Sequence, residues 1–308
     1  MKSAVVTDFG QPPKYTTVPD LPPAAPETLN LRVLAVGIPN VVRVRAAGRH
    51  FLKTTLPHVP GIDGIGLDET TGKKYYFTTL ALGTGTLADM VNVPKKDVVD
   101  FPDDADPATV AALVNPAQSS WMALRKRTEN LPKDWSVVIL GVTSASGRIA
   151  VATARALGAG RVIGVARDEG AMSSIEGLDE RVVLKDDPSQ TDFSRLGQVD
   201  VVLDYIWGKA AIALLNALQP TREVQFVQIG DLSGQEDMAV PASLLRKKMI
   251  TLRGAGPGAW TGLVQETGEL LKAVKGMKSD DVYVAKMSDV ERVWDSPEVK
   301  GKRLVFVS

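Results

Sequence analysis

The sequence predicts an α/β protein in which a doubly wound parallel sheet is inserted into a smaller, mostly β domain. Three observations carry this reading. After Pro132, short apolar strands alternate with helical runs, the pattern of a parallel sheet covered on both faces. Residues 1 to about 114 hold short β-rich runs broken by prolines and glycines. From about Gly258 the alternation stops, leaving one helix and a terminal strand, which return to the first domain.

With 308 residues the chain is long enough for two domains and a sizeable core. Apolar residues make up 44% and charged residues 23%, ordinary values that exclude a disordered or fibrous protein. The 36 basic side chains are balanced by 36 acidic ones, so no excess of positive charge draws the chain to nucleic acid or to an anionic membrane. The absence of cysteine removes disulfides, thiolate nucleophiles and cysteine-held zinc, and no metal site is expected. His50 and His58 are the two histidines. The N-terminus carries no secretory apolar core and no stretch is apolar enough to span a bilayer, so a cytoplasmic protein is expected.

Residues 3–7 and 29–37 read as strands, and Pro12, Pro13, Pro19, Pro22, Pro23 and Pro26 between them forbid a helix. Further strands are expected over 74–78 and 88–93, with Gly61, Gly64, Gly66, Gly72, Gly83 and Gly85 marking the turns. Asp106-Pro107 offers an N-cap followed by proline at the first helical position, and opens a helix over 108–114. A second helix is expected over 117–128. The alternating region reads as strands 137–140, 162–166, 182–184, 199–203 and 224–229, with helices 147–157 and 209–218. A helix over 263–274 and a strand over 303–307 close the chain. The expected domains are 1–114 together with 258–308, and 115–257.

The segment richest in chemistry begins with the apolar strand Ser136-Val-Val-Ile-Leu140, which runs into Gly141-Val-Thr-Ser-Ala-Ser-Gly147 and then a helix. This is the order of a Rossmann dinucleotide site. There the first glycine permits a tight turn, the last lets helix and strand pack closely, and phosphate sits at the helix N-terminus. Gly141 and Gly147 hold the outer positions, while the middle glycine is absent and the turn is one residue longer than GxGxxG. The backbone of Val142 and Ala145 and the hydroxyls of Thr143, Ser144 and Ser146 would then face the phosphates; alternatively, glycine and serine only satisfy the geometry of a βα turn. The next strand ends in Arg167, where an NAD site places an acidic side chain on the ribose 2′-hydroxyl. Arginine suits a 2′-phosphate, which makes NADPH the expected cofactor, unless Arg167 is a solvated strand end. Asp168 is open to pairing with Arg167 or to a ribose contact.

Four stretches together resemble the zinc-independent quinone oxidoreductase branch of the medium-chain dehydrogenase/reductase superfamily. They are Leu56-Pro-His-Val-Pro-Gly-Ile-Asp-Gly64, Gly85-Thr-Leu-Ala-Asp-Met-Val91, Asn115-Pro-Ala-Gln-Ser-Ser-Trp-Met-Ala-Leu124 and residues 141–158. The resemblance implies a GroES-like β domain formed by both chain ends, an inserted Rossmann domain and an active site in the cleft between them. It also implies reduction of an activated C=C bond in an enone or quinone by NADPH. Zinc-dependent alcohol dehydrogenases of the superfamily hold their metal with cysteine and histidine, and this chain has no cysteine.

The same resemblance places Asn115, Ser119 and Ser120 near nicotinamide and substrate, although serine and asparagine also cap helices. Asp204 and Gly230 close strands at carboxyl ends, where ligands of open α/β sheets bind, and the resemblance implies that they border the nicotinamide ribose. His50 stands near where related reductases carry a pocket tyrosine, as a hydrogen-bond donor or as a packing histidine. Tyr76 is a candidate phenolic donor or a core aromatic, and His58 belongs to a structural turn. Two departures bear on the substrate: Gly37-Ile-Pro-Asn40 replaces an Asn-Pro turn, and the chain is shortened between Gly66 and Gly85. The substrate is expected to be a small molecule, and residues 249–254 would pair in a homodimer. Competing readings are an enoyl-thioester reductase and a non-catalytic NADPH-binding sensor or partner protein.

Overall fold

Prolines and short alternating runs keep the first hundred residues largely extended, and the computed structural model describes residues 1–50, 54–274, 277, 279 and 281–308. The chain opens with β1 (Lys2–Val5), β2 (Lys14–Thr17) and β3 (Thr28–Gly37), followed by a short helix α1 (Asn40–Ala46). Then come β4 (Asp63–Leu67), β5 (Lys74–Thr78), β6 (Met90–Pro94) and β7 (Val98–Asp100). The long helix α2 (Pro107–Lys126) leads into the alternating region. That region comprises β8 (Ser136–Leu140), α3 (Ala145–Ala156), β9 (Arg161–Ala166), α4 (Glu169–Ser173), β10 (Glu180–Val183) and β11 (Val201–Asp204). It continues with α5 (Gly208–Ala217), β12 (Val224–Gln228), α6 (Ala242–Lys247) and β13 (Ile250–Gly254). Helix α7 (Leu263–Val274), β14 (Val282–Lys286), α8 (Val290–Val293) and β15 (Arg303–Val307) end the chain.

Two compact units result, Met1–Asn115 with Val264–Ser308 and Pro116–Leu263. In the first, β14-β15-β3-β4-β5-β7 form one sheet, with β6 also paired to β3. The returning tail is held there by β15, antiparallel to β3. Leu31, Val33, Phe77, Val293 and Phe306 are among its fully buried core residues.

The second unit is a six-stranded sheet in the order β10-β9-β8-β11-β12-β13, with every pair parallel. Because successive side chains on a strand point to opposite faces, β8 feeds two cores. Val137 and Ile139 join one, with Ala150 and Ala154 of α3, while Val138 and Leu140 join the other, with Leu214 and Leu215 of α5. All five residues of β8 are buried, as expected of a parallel strand covered on both faces.

Two sequence expectations are corrected here. Gly64 and Gly66 are not turn residues but lie inside β4, between β3 and β5. A Cβ at either would come within 3.0 and 3.2 Å of the Phe77 ring, so their bareness makes room for a core aromatic. The two helices expected over 108–128 are one helix that passes through Pro116. Proline there forfeits one helical N–H bond. Burial on both sides, including Leu113, Val114, Ala117 and Met122, outweighs that loss. Among the described residues, no helix is long and apolar enough to cross a membrane.

Candidate active site

The strand order of the second unit is 3-2-1-4-5-6 counted in sequence, and its direction reverses between β8 and β11. Connections leave these two neighbours to opposite faces of the sheet, opening a crevice at their carboxyl ends. The turn between β8 and α3 stands at that point. Gly141 takes φ +91, a conformation that costs glycine little and other residues much. A Cβ on Gly147 would sit 2.3 Å from the Gly141 carbonyl oxygen and 2.8 Å from Val142 Cα, so the helix start lies directly on the turn. Ser144 is the N-cap of α3, its hydroxyl oxygen accepting the Gly147 N–H at 3.0 Å. The Arg148 guanidinium donates back to the Thr143 carbonyl at 3.3 Å and braces the loop. Val142 is buried, Thr143 and Ser146 are half-buried, and Ala145 is exposed.

Asp168 is committed elsewhere: its carboxylate accepts the Ala171 N–H at 2.8 Å and caps α4. It therefore leaves Arg167 without an acidic partner among the described residues, exposed at the tip of β9 next to β8.

At the end of β11, Asp204 is fully buried. One carboxyl oxygen accepts the N–H groups of Ile206 and Trp207, both at 2.9 Å, while the other is buried without a partner. Burial pushes its pKa up from 3.8 to about 6, against the lowering effect of the two N–H groups. Trp207 is held at φ 66, ψ −176, a region that glycine alone occupies readily, and its indole N–H donates to the Glu236 carbonyl at 3.0 Å. Gly230 follows β12 beside this turn, its N–H donating to the Asp204 carbonyl. The loop of 141–147, Arg167, Asp204 and Gly230 therefore all lie at the carboxyl ends of four neighbouring strands, β8, β9, β11 and β12. A surface groove of about 510 Å³ beside Asp134 and Trp135 opens at the other end and includes none of them.

Ser120, expected near the cofactor, is fully buried and donates its hydroxyl to the Ala117 carbonyl at 3.1 Å. Ser119 lies 3.4 Å from the Tyr205 hydroxyl, and burial raises that phenol's pKa to about 12. Ser119 itself is half-buried.

In the first unit, Tyr76 and Asn115 both bond the carboxylate of Asp63, with the Tyr76 hydroxyl donating at 2.9 Å. The β4–β5 register explains the first contact. Asp63 opposes Thr78 and Ile65 opposes Tyr76, so Asp63 and Tyr76 are diagonal neighbours on one face, within reach of a long phenol. Asp63 is 4% exposed, and burial raises its pKa to about 6 despite the two hydrogen bonds. It was not singled out from the sequence; the available signal was a lone carboxylate in the apolar run Pro60-Gly-Ile-Asp-Gly-Ile65. His50 is half-buried in the bend after α1, adjoining residues 51–53, which lie outside the described set. His58 pairs with Val6 through its backbone, and both ring nitrogens are buried without partners. Burial first, and then the charge of Arg45, lower its pKa. Among the described residues no group of three His, Asp or Glu could hold a metal ion.

A parallel 3-2-1-4-5-6 sheet with a glycine-bounded turn at its switch point defines a dinucleotide-binding fold. No family model matches the chain. It is 39% identical over 356 residues, covering all of both chains, to the protein named "Probable NADPH-dependent quinone reductase tdiC" of Emericella nidulans. The chain thus belongs to the zinc-independent quinone oxidoreductase-like branch of the medium-chain dehydrogenase/reductase superfamily. Solved structures share the combination of a GroES-like and a Rossmann domain. The quinone oxidoreductase of Thermus thermophilus, with structures that include its complex with NADPH, is 23% identical with TM-score 0.78 over 100% of each chain. A thermostable alcohol dehydrogenase from Pyrobaculum aerophilum is 20% identical with TM-score 0.75, over 100% of this chain and 99% of that one.

Gly147→Ala would force α3 off the turn, since its methyl meets backbone rather than a yielding side chain. Urea unfolding should show a loss of roughly 1–3 kcal/mol. For Asp204, the folded pKa of about 6 exceeds the ordinary 3.8, so the folded chain binds the proton more tightly. That stabilisation is complete below the lower value and is lost as pH rises through the higher one. Asp204→Asn keeps the acceptor oxygen and removes the titration. Its stability relative to wild type should therefore improve by roughly 3 kcal/mol between about pH 4 and about pH 8, followed by denaturant titration at each pH.

Proposed function

We propose that the protein is an NADPH-dependent, metal-independent oxidoreductase that reduces the activated C=C bond of an enone or quinone-type substrate. The observation that carries this is the cradle at 141–147, where a Cβ on Gly147 would fill the space against Gly141, beside an Arg167 with no acidic partner. The name of the Emericella relative, matched along its whole length, supports the cofactor and the acceptor class.

Residues 141–147 would receive the pyrophosphate, with the first turn of α3 and the hydroxyls of Thr143, Ser144 and Ser146 as donors. Arg167 would take the 2′-phosphate as a charged, forked donor. The buried free oxygen of Asp204 and the backbone at Gly230 would border the nicotinamide ribose. NADPH, when bound, supplies a hydride to the electron-poor carbon, and the electron pair released from the C=C bond collects on the conjugated oxygen. Asn115 would donate a hydrogen bond to that oxygen, where the charge develops, with His50 as a further candidate donor, whereas the one O–H of Tyr76 is taken by Asp63. At the sheet edge, β13 offers its outer backbone groups to the same strand of a second copy, which is where a homodimer would form.

Fluorescence titration should show NADPH binding more tightly than NADH, followed by NADPH oxidation on adding a quinone or an α,β-unsaturated ketone. Binding of neither nucleotide would overturn the assignment. Arg167→Ala should weaken NADPH about tenfold to a hundredfold, the worth of a charged hydrogen bond, and leave NADH unchanged. An unchanged ratio between the two would remove Arg167 from the site.

A further inference from the structure

We infer that Asp63 is a positioning residue for this reaction, whose carboxylate fixes the amide of Asn115 in one orientation and so sets which of its groups meets the substrate's oxygen. The inference rests on the reading that Asn115 serves that oxygen. Three observations on the chain's own residues carry it. Asp63 is almost wholly buried at the start of β4. Its carboxylate is bonded by two side chains from different elements, Tyr76 of β5 and Asn115 of α2. Asn115 is only half-buried, so one end of the network is inside and the other is accessible.

An ionised carboxylate accepts hydrogen bonds and donates none. Asn115 must therefore turn its NH2 group toward Asp63, because its carbonyl oxygen would face another acceptor there. An amide has one nitrogen and one oxygen at its end, so fixing the nitrogen on Asp63 fixes the placement of the remaining N–H and of the oxygen. Tyr76 supplies the second donor and holds the carboxylate in plane from the adjacent strand. A buried charge this costly is expected to be retained for a task beyond packing, since an apolar residue or an amide would fill the same space.

The same logic gives a pH signature. Asp63 titrates at about 6, and protonation gives it an O–H that can donate, which frees the Asn115 amide to reverse. Among the described residues, Tyr76 is the titratable group bonded to its carboxylate, and its other partner, Asn115, carries no charge.

The test is a double-mutant cycle on the full-length protein, read by NADPH binding, kcat, KM and thermal unfolding. In Asp63→Asn the new amide can satisfy Tyr76 and a reversed Asn115, so the fold should persist. Its kcat should fall on the order of tenfold to a hundredfold, as for a misaligned donor, with NADPH affinity and melting temperature near wild type. In an Asn115→Ala background the same substitution should have no further effect on kcat. The wild-type kcat should fall as pH drops through about 6, and Asn115→Ala should lose that inflection. Equal effects of Asp63→Asn in both backgrounds overturn the inference. So does a kcat loss matched by lost stability or lost NADPH binding, which marks a structural role. Wild-type protein that binds NADPH but turns over no acceptor overturns the underlying reading of the reaction, whereas a catalytically active wild type with an unaffected Asp63→Asn variant overturns this inference alone.

Discussion

The contact between the start of α3 and the end of β8 is the constraint on which the second unit depends. With less space than a methyl between Gly147 and the Gly141 carbonyl, the start of the helix lies directly on the strand end. That placement rests on the left-handed turn at Gly141, the Ser144 cap that absorbs one N–H, and a β8 whose five residues are all buried.

Much of this was legible in the sequence because the signals were local. Glycine, serine and apolar runs at fixed spacing specify a βα turn, and the resemblance of four separate stretches extended that to both domains. Legibility failed where long-range packing overrode local punctuation. Gly64 and Gly66 read as turn residues, yet their missing side chains accommodate Phe77 from the next strand, a requirement that no window around them reveals. Asp63 acquires its neighbours only once β4 is recognised, because Tyr76 and Asn115 are distant from it in sequence. The pairing of β4 with β5 joins them. Pro116 misled in the opposite direction, since helix α2 tolerates it once buried residues hold both halves.

The two buried carboxylates show one physical situation used in two ways. Asp204 and Asp63 are each desolvated and each titrate near 6. Asp204 spends one oxygen on two backbone N–H groups and so shapes a turn. Asp63 spends its carboxylate on two side chains and so constrains their rotamers. Backbone partners make a carboxylate architectural, whereas side-chain partners make it a means of selecting among orientations.

Trp207 inverts the usual order of residue costs. Glycine is ordinarily the residue that loses most on being ordered, and tryptophan among those that gain most from burial. At φ 66, ψ −176 the backbone favours glycine, while the indole recovers part of the cost through Glu236 and its packing against the core that includes Leu214 and Leu215. Truncating the indole at position 207 would keep the backbone strain and lose the anchoring, whereas glycine would give up the strain and the anchoring together.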